Sequence, residues 1–524
     1  MQLIKPVKQE SGRISAEVSA YITLNGLSAD EIVDVKEQLT FQNPEYLNVK
    51  RYSKWQYTRV PEFVTYYDVS GNSVLVPRGF KHSAVNRAEN KTVMVQVPYP
   101  KFCLELRDTQ REAAEAYFKH NQTLDLNGII QLPTGKGKTI LGMYLACATQ
   151  QRTLVIVHKD DLVTGWKNDV ELCFGGKVKC GLIKAKKRDI GQQITIATIQ
   201  TLNRLSTEEL NNLTTKFGMI ILDEMHHCPS SSYSVLQRFP ARYLLGLTAT
   251  PERADGLTHV MSLYFGGFAY RYKQPKGKKD EDILPVRVIK RECPVMCEPV
   301  CVKTTSNSGE KYQVIYFHTS KDKKLSESEI KLSDVPYTKR PKVSYLSLDD
   351  YVVRNEQYLT QVCADICFEY KNKRSIVVFF TQKEHINIYF DRLIQTLGVD
   401  NVTKFYGDCK TNDLSLKIAE EKKPHVTLAT YAKGTEGTNV KQWEVAFLVS
   451  SINNEKNTEQ VAGRIRRIKE GKINPVIIYD YAHPYVYSLR NHYETRKRRY
   501  KQLGFELPPE ETAKRGLFQR GFQK

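Results

Sequence analysis

A glycine-rich turn between a strand pattern and a helix pattern constrains the fold of this chain more than any other feature. Ile129-Ile130 is a short apolar run, which is typical of the end of a buried strand. A helical stretch runs from Ile140 to Cys147, and between the two lies Gln131-Leu132-Pro133-Thr134-Gly135-Lys136-Gly137-Lys138-Thr139. In such a unit the backbone N–H groups of the turn and the positive end of the helix bind phosphate. The pattern therefore predicts a phosphate-binding loop (P-loop) in a parallel α/β sheet.

The residues of this loop are the predicted nucleotide ligands, namely Pro133, Thr134, Gly135, Lys136, Gly137, Lys138 and Thr139. We expect Lys138 to reach the β- and γ-phosphates and the hydroxyl of Thr139 to bind Mg²⁺. Leu132 stands where the longer form of the pattern has its first glycine. A chance Gly-x-Gly-Lys-Thr sequence in an ordinary loop is therefore the competing interpretation.

A second strand pattern delivers two carboxylates. The apolar run from Phe217 to Leu222 predicts a buried strand, and Asp223 and Glu224 follow it directly. Open α/β sheets bind ligands at the carboxyl ends of their strands. We expect Asp223 to hold Mg²⁺ and Glu224 to orient and deprotonate the attacking water. Adjacent acids are common in surface turns, but together with the P-loop they predict hydrolysis of a nucleoside triphosphate.

Composition favours an intracellular protein with a polyanionic partner. The 524 residues carry a formal net charge of +20, and cationic surfaces gain affinity for nucleic acid by releasing phosphate counterions. A generically basic soluble protein is the alternative. No apolar stretch approaches the roughly 20 residues of a membrane span, and the N-terminus lacks the apolar core of a signal peptide. The 11 cysteines are an odd number, which favours a reducing compartment, cytoplasm or nucleus, over a disulfide framework.

The order of patterns predicts an α/β chain with two parallel-sheet lobes in tandem. Residues 1–100 read as an N-terminal α+β accessory domain, and 101–270 as the first lobe. Residues 271–344, rich in charge and proline, read as a linker or insertion, 345–490 as the second lobe, and 491–524 as a basic tail. The predicted strands of the two lobes are 129–132, 153–157, 194–197, 217–222 and 243–247, then 375–380, 402–406, 426–429, 445–450 and 475–480.

Further motifs follow one another in an order that is typical of one protein family. Leu247-Thr248-Ala249-Thr250-Pro251 follows the acidic pair, and Gln460-Val461-Ala462-Gly463-Arg464-Ile465-Arg466-Arg467 lies in the second lobe. With these motifs the chain resembles the superfamily 2 helicases of the DExH group. Within that group it resembles the XPB-like and phage UvsW-like branch, which includes helicases of large DNA viruses. Asp108-Thr109-Gln110 is similar to the Q motif of these proteins. The run from Leu154 to Trp166 is similar to motif Ia, although many relatives have Pro-Thr where His158 and Lys159 stand, and the run from Ile196 to Leu202 is similar to motif Ic.

The resemblance implies two RecA-like lobes that bind ATP and Mg²⁺ between them. Gln110 would read adenine, and Gln460 would face the γ-phosphate. Arg464 and Arg467 would be arginine fingers that stabilise charge on the γ-phosphate, with a basic helix face as the alternative. Glu436 and Gly437 would sit at the nucleotide cleft. The residues expected to couple the motifs to one another are His226, Thr248 and Thr250.

The resemblance also implies a DNA partner. The predicted backbone contacts are Thr198, Gln200, Thr381 and Thr430. A helicase with 3′→5′ polarity that acts on duplex or branched DNA is the leading interpretation. A duplex translocase or transcript-release factor without net unwinding, an RNA helicase, and a non-catalytic nucleic-acid-binding protein remain open. The N-terminal domain could engage DNA or serve as a structural cap.

The cysteine triplet Cys293, Cys297 and Cys301 is the other feature with possible chemistry, since its spacing could bring three thiolates to one metal. Pro294 and Pro299 argue against a continuous helix, and no fourth ligand is evident. Ordinary buried or free thiols are the favoured interpretation.

Overall fold

The computed structural model of the chain separates into two units that divide between Lys276 and Gly277. The structure describes residues 14–52, 60–120, 126–228, 233–249, 258–273, 283–306, 309–318, 324–407, 409, 411–435, 440–453, 455–486 and 488–509. Within these residues, no helix is both long enough and apolar enough to cross a membrane.

The first unit opens with a small α+β domain. Its five-stranded sheet has the order β5-β6-β2-β1-β7, and β3 and β4 form a separate two-stranded antiparallel sheet. Its elements are β1 (Ser15–Val18), β2 (Ile22–Asn25), α1 (Ala29–Gln38), β3 (Thr40–Gln42), α2 (Pro44–Tyr52), β4 (Phe63–Thr65), β5 (Asp68–Ser70), β6 (Ser73–Val76) and β7 (Glu89–Asn90). Helix α1 begins at a capping box in which Ser28 and Glu31 satisfy each other's backbone N–H groups.

The rest of the first unit is an eight-stranded sheet with the order β11-β10-β12-β9-β13-β14-β8-β15. Its strands are β8 (Leu126–Gln131), β9 (Thr153–Val157), β10 (Gly181–Lys184), β11 (Lys187–Asp189), β12 (Ile194–Thr198), β13 (Met219–Leu222), β14 (Tyr243–Thr248) and β15 (Phe268–Arg271). Its helices are α3 (Asp108–His120), α4 (Lys138–Thr149), α5 (Asp160–Phe174), α6 (Ile199–Leu202), α7 (Thr207–Thr214), α8 (Tyr233–Leu236) and α9 (Thr258–Phe265). Among the described strands of this eight-stranded sheet, only β10 and β11 pair antiparallel, and all other neighbours are parallel. The five strands predicted for this lobe are confirmed.

A short segment after β6 helps to fix the N-terminal domain to this sheet. The guanidinium of Arg78 donates to the carbonyl of Ala241 at 2.5 Å and to Oδ1 of Asn127 at 3.0 Å. The N–H of Gly79 donates to the carbonyl of Leu263 at 2.7 Å, and a Cβ at Gly79 would lie 2.0 Å from a backbone oxygen of α9. Only glycine fits so close to α9, so this attachment depends on a glycine at position 79.

The second unit contains a six-stranded parallel sheet with the order β16-β24-β23-β20-β22-β21. The strands of the unit are β16 (Val286–Glu292), β17 (Glu298–Ser306), β18 (Gly309–His318), β19 (Glu329–Lys331), β20 (Ile376–Phe380), β21 (Val402–Phe405), β22 (Val426–Thr430), β23 (Val445–Leu448) and β24 (Val476–Ala482). Its helices are α10 (Tyr345–Val353), α11 (Glu356–Lys371), α12 (Lys383–Leu397), α13 (Asn412–Glu421), α14 (Tyr431–Gly434), α15 (Glu455–Ile465) and α16 (His492–Gln502). The five strands predicted for the second lobe are confirmed, and the chain is an α/β protein with two RecA-like parallel-sheet lobes.

Residues 271–344 differ from the predicted linker or insertion. Strand β16 is an edge strand of the parallel sheet, where it pairs with β24, and β17, β18 and β19 form a three-stranded antiparallel sheet. The charged residues of β16 concealed it, because an edge strand needs to bury only alternate side chains such as Val286 and Val288. Cys293 and Cys297 are buried in an apolar core, and that burial raises the pKa of both thiols to about 12. Cys301 lies in the small core of the antiparallel sheet.

The basic tail also differs from its prediction, because its first part is a packed helix. Arg496 of α16 is fully buried, and its Nε and Nη2 atoms donate to the Asp480 carboxylate at 2.9 and 2.6 Å. The hydroxyl of Tyr500 donates to the same carboxylate at 2.7 Å. A buried bidentate pair with further hydrogen bonds fixes α16 on β24. Residues 510–524 lie outside the described residues.

Candidate functional site

The motifs of the first unit meet at one edge of its sheet. Strands β9, β13, β14 and β8 are neighbours and run parallel, so their carboxyl ends lie side by side. The P-loop follows β8, the acidic pair follows β13, and Thr248 ends β14. Sequence positions more than 100 residues apart are thus brought together, as the sheet pattern predicts.

The P-loop turn needs its glycines. Gly135 and Gly137 have φ angles of +92° and +74°, which side-chain-bearing residues rarely adopt, and α4 begins at Lys138. A Cβ at Gly137 would also lie 2.4 Å from Nε2 of Gln110. The turn is therefore a glycine conformation closed by a side chain from α3.

Gln110 is the side chain that closes it. Its Nε2 donates to the carbonyl of Gly137 at 2.9 Å, and its Oε1 accepts from the N–H of Arg107 at 2.9 Å. Only 3% of the residue is exposed. The structure thus places Gln110 against the phosphate loop, and adenine recognition by its remaining N–H stays a prediction.

Lys138 joins the P-loop to the acidic pair. Its Nζ lies 3.2 Å from Oε1 of Glu224 and 3.3 Å from the carbonyl oxygen of Leu132. The ammonium is buried, so the ion pair forms where water screens it little. The arrangement keeps a cation beside the glycine turn, where phosphate oxygens would bind.

Asp223 is held by a residue that the sequence did not reveal. The indole Nε1 of Trp166, on α5, donates to Oδ2 of Asp223 at 2.8 Å, and the N–H of Glu224 donates to Oδ1 at 2.9 Å. Burial and the adjacent carboxylate raise the pKa of Asp223, while Trp166 and Lys138 oppose the increase. In the sequence, Trp166 ends the run that resembles motif Ia, but nothing in that run indicates a contact with Asp223.

Glu224 has a strained backbone and a polarised carboxylate. Its φ of +45° places a residue with a side chain in the left-handed region. Its Oε2 lies 3.4 Å from the N–H of Ala249 and 3.5 Å from Nδ1 of His226. Burial would raise the pKa of Glu224, but Lys138, His226 and His227 outweigh burial and lower it. Glu224 is therefore ionised at neutral pH.

The remaining predicted residues of this edge differ in their surroundings. His226 is buried, and its Nδ1 lies 2.8 Å from the hydroxyl oxygen of Thr248. Lys136 is also buried, with its ammonium 4.9 Å from the ring centre of Tyr272. The half-buried residues of the loop are Pro133, Thr134, Gly135, Gly137 and Thr139. Thr250 lies outside the described residues.

In the second unit, α15 carries the predicted γ-phosphate group. Gln460 and Arg464 are four residues apart, and thus on one face of the helix. The Oε1 atom of Gln460 is buried without a hydrogen-bond partner. Arg464 donates from Nε and Nη2 to the carbonyl of Thr435 at 2.9 and 2.5 Å, and Arg467 is half-buried just after the helix. Glu436 and Gly437 lie outside the described residues.

The predicted nucleic-acid contacts are mostly engaged within the chain. The buried hydroxyl of Thr198 lies 2.8 Å from that of Thr201. The side chain of Gln200 is exposed and donates to the carbonyl of His158 at 2.7 Å. The hydroxyl of Thr381 donates to Asp349 and lies 3.2 Å from that of Ser450. Thr430 is half-buried and precedes α14.

A basic turn beside Gln200 is a feature that the sequence reasoning missed. It joins β10 to β11 and carries Lys184, Lys186, Lys187 and Arg188. The N–H of Ala185 donates to the hydroxyl of Thr201 at 3.3 Å, which ties the turn to α6. Three of the cations have acidic neighbours on the surface, where such pairs contribute little. The charge run was visible in the sequence, but its place beside motif Ic was not.

Comparison with known proteins agrees with these motifs. Residues 103–253 match the family model of the type III restriction enzyme res subunit. A probable helicase of Escherichia phage T5 is 26% identical over 80% of this chain and 80% of its own length. The DNA 3′-5′ translocase XPB2 of Sulfurisphaera tokodaii is 27% identical over 75% of this chain and 86% of its own length. The crystal structure of T4 UvsW is similar with a TM-score of 0.37 and 14% identity, covering 95% of this chain and 99% of that one.

The two RecA-like lobes, the P-loop and the acidic pair after β13 define an ATP-dependent helicase. The relatives of the chain are XPB-like and phage or viral helicases. The resemblance drawn from the motifs is thereby confirmed.

Proposed function

We propose that the protein is an ATP-dependent DNA helicase or translocase that moves 3′→5′ on duplex or branched DNA. The observation that carries the proposal is the Lys138–Glu224 pair, with 3.2 Å between ammonium and carboxylate at the edge where four parallel strands end. The relative named as a DNA 3′-5′ translocase, similar over three quarters of this chain, supports the DNA substrate and the polarity.

The residues of the site fit a magnesium nucleotide. The glycine turn offers backbone N–H groups, Lys138 a cation, and Thr139 and Asp223 the oxygen ligands that Mg²⁺ prefers. When bound, Mg·ATP supplies the phosphoanhydride bond whose hydrolysis drives movement.

The site residues of the first unit have separate roles in nucleotide binding. Lys138 binds the β- and γ-phosphates, with the other P-loop residues from Pro133 to Thr139 around it. Thr139 and Asp223 hold the metal, and Trp166 fixes the orientation of the Asp223 carboxylate through its 2.8 Å hydrogen bond. Gln110 keeps the loop closed through Gly137 and contributes to adenine binding.

Glu224 orients and deprotonates the attacking water. Its low pKa keeps it an acceptor at neutral pH, and Ala249, His226 and Lys138 fix both carboxylate oxygens. Thr248 holds His226, so these two residues connect the water-activating residue to the end of β14. Thr250 is the third proposed coupling residue.

Residues of the second unit stabilise the transition state. Gln460, Arg464 and Arg467 act on the γ-phosphate, where the guanidinium groups offset developing negative charge. Arg464 donates to the carbonyl of Thr435, which directly precedes Glu436 and Gly437 in the sequence, the two residues expected at the nucleotide cleft.

DNA contacts are made to the backbone along the edge of motifs Ia and Ic and through Thr381 and Thr430. Gln200 is exposed there, and backbone N–H groups near Thr198 can serve where its buried hydroxyl cannot. Lys186 and Lys187 extend this edge with positive charge. Backbone contact predicts little sequence preference and strong salt dependence.

The test is the ATPase rate at fixed salt without nucleic acid and with single-stranded DNA, duplex DNA, a four-way junction and RNA. Stimulation by duplex or branched DNA, followed by strand release with 3′→5′ polarity, is the expected result. Stimulation by RNA alone would refute the DNA assignment.

Strand release decides between the two forms of the proposal. Stimulation by duplex DNA without strand release favours a duplex translocase that displaces bound complexes, and the relative named a translocase supports that form. The Glu224→Gln variant is the matched control, because it keeps the side-chain shape and removes the base.

A further inference from the structure

Three histidine rings lie in a row at the catalytic edge of the first unit. The ring centres of His158 and His227 are 4.6 Å apart with 28° between their planes. The ring centres of His227 and His226 are 4.2 Å apart with 42° between their planes. We call these three rings the histidine row. Aromatic rings at such separations attract one another and restrict each other's motion.

One end of the histidine row touches the catalytic machinery. His226 lies 2.8 Å from the hydroxyl of Thr248 and 3.5 Å from Oε2 of Glu224. The segment is short and internally bonded, because the N–H of His227 donates to the carbonyl of Glu224 at 2.8 Å. A displacement of the His227 ring would therefore also move groups that contact Glu224.

The other end touches the edge assigned to nucleic acid. His158 directly follows β9, and its carbonyl accepts a 2.7 Å hydrogen bond from the exposed side chain of Gln200. Gln200 belongs to α6, which begins where β12 ends. The histidine row thus spans from the loops after β9 and β12 to the acidic pair after β13.

The backbone conformation of Glu224 depends on the groups that surround it, including the histidine row. A φ of +45° in a residue with a side chain is unfavourable, and such a conformation persists only where neighbouring groups hold it. Lys138 holds one carboxylate oxygen, Oε1, and Ala249 and His226 hold the other, Oε2. Rings packed against His226 therefore act on the position of Glu224.

We propose that His158 and His227 are positioning residues that transmit nucleic-acid binding at Gln200 to Glu224. The proposal rests on the function proposed above and deepens it. When a DNA backbone engages Gln200, the hydrogen bond to His158 changes, and the stacked rings shift the balance of Glu224 conformations. Neither histidine touches the reacting atoms, so their effect is on the rate of hydrolysis in the DNA-bound protein.

The test uses the full-length protein with single alanine variants at His158 and His227, the double variant, and His158→Phe and His227→Phe. ATP turnover is measured without nucleic acid and with saturating duplex DNA, and affinities for ATP and DNA are measured alongside. Unchanged ATP affinity reports that a variant keeps the folded P-loop. His120→Ala, an exposed histidine of α3 outside the row, is the matched control.

We expect each alanine variant to lower the DNA-stimulated kcat by about fivefold or more, a typical size for coupling between sites, with the basal rate falling less. Affinities for ATP and DNA should change by less than about twofold, because the variants remove the coupling between the two sites and not a contact with either ligand. Phenylalanine keeps a stacking ring and should restore most of the stimulated rate. The double variant should lose no more than the worse single variant, because the rings act as a unit.

Four outcomes would overturn the proposal. These are alanine variants that DNA stimulates as strongly as wild type, additive losses in the double variant, phenylalanine variants as impaired as alanine variants, and a parallel loss of DNA affinity. A wild-type protein that no DNA stimulates would refute the proposed function and this coupling with it. A stimulated wild type with an equally stimulated His158→Ala variant refutes the coupling alone.

Discussion

The indole of Trp166 donates a 2.8 Å hydrogen bond to the carboxylate of Asp223, across 57 residues of sequence. Both side chains are buried, so the bond forms without competing water. A metal-binding carboxylate held in this way is oriented before the metal arrives. In the proposed site, Trp166 thus orients the carboxylate that would bind the metal.

Trp166→Phe should therefore weaken the response to Mg²⁺. Loss of an outer-sphere hydrogen bond of this kind typically lowers metal affinity by about 10- to 100-fold. We expect a higher Mg²⁺ concentration for half-maximal ATPase activity, with little change in DNA affinity. Trp443→Phe is the matched control, since that buried indole donates at 3.2 Å to Thr427 in the second unit. An equal Mg²⁺ requirement in both variants would contradict the assigned role of Trp166.

Lys138→Ala and Glu224→Gln should abolish ATP turnover and leave DNA binding nearly unchanged. Removal of a general base typically lowers the rate by about 10²- to 10⁴-fold. Glu224→Gln should also retain nucleotide affinity, because it removes only the charge and the base. Turnover and binding are measured by phosphate release and by fluorescence anisotropy of labelled DNA. Turnover in either variant within about tenfold of wild type would refute the assigned sites.

The strands of both lobes could be predicted because parallel strands covered on both faces are continuous apolar runs. Strands β9 and β20 are buried along their whole length. The motifs of the site lie at the ends of such strands, so the sheet itself brings Lys138, Asp223 and Thr248 together.

Residues that act through tertiary contacts could not be predicted in this way. Trp166 and the histidine row meet their partners only after the sheet has formed. Arg496 belongs to a charge run that resembles a solvated helix face, yet it is buried against Asp480. Strand β16 was missed because its apolar residues alternate with charged ones at a sheet edge.

Arg467→Ala should lower kcat much more than nucleotide affinity. A guanidinium that acts only on the transition state contributes about 10³- to 10⁵-fold to the rate in related phosphoryl-transfer sites. Arg466→Ala is the matched control, because the Nε of Arg466 donates at 3.1 Å to the carbonyl of Leu284. Steady-state kinetics with saturating DNA separates kcat from KM. A proportional loss of nucleotide affinity would make Arg467 a binding residue instead.

The double variant Lys186→Ala, Lys187→Ala should weaken DNA binding at all sequences alike. Each lysine that neutralises a phosphate contributes about one unit to the slope of log K against log salt concentration, so the slope should fall by about two. The measurement is a salt titration of binding to a labelled duplex. Lys119→Ala, on the exposed surface of α3, is the control of equal chemistry. An unchanged salt slope would remove the basic turn from the DNA interface.

Acid should destabilise the second unit through His483. Burial, followed by the charges of Arg496 and His492, lowers the pKa of His483 to about 3 in the folded protein. The unfolded chain binds a proton near the ordinary pKa of 6.5, so it holds more protons than the folded chain between those values. Stability from this group is complete above about pH 6.5 and falls by about 1.4 kcal/mol per pH unit below it.

His483→Phe should remove this contribution, because both ring nitrogens are buried without hydrogen-bond partners and an apolar ring can replace them. Urea unfolding at pH 7, 6 and 5.5 gives the free energy of unfolding for both proteins. We expect the wild type to lose about 1 kcal/mol more than the variant between pH 7 and pH 5.5, the difference due to one proton. A His483→Phe variant with the full wild-type slope would show that other groups govern acid unfolding.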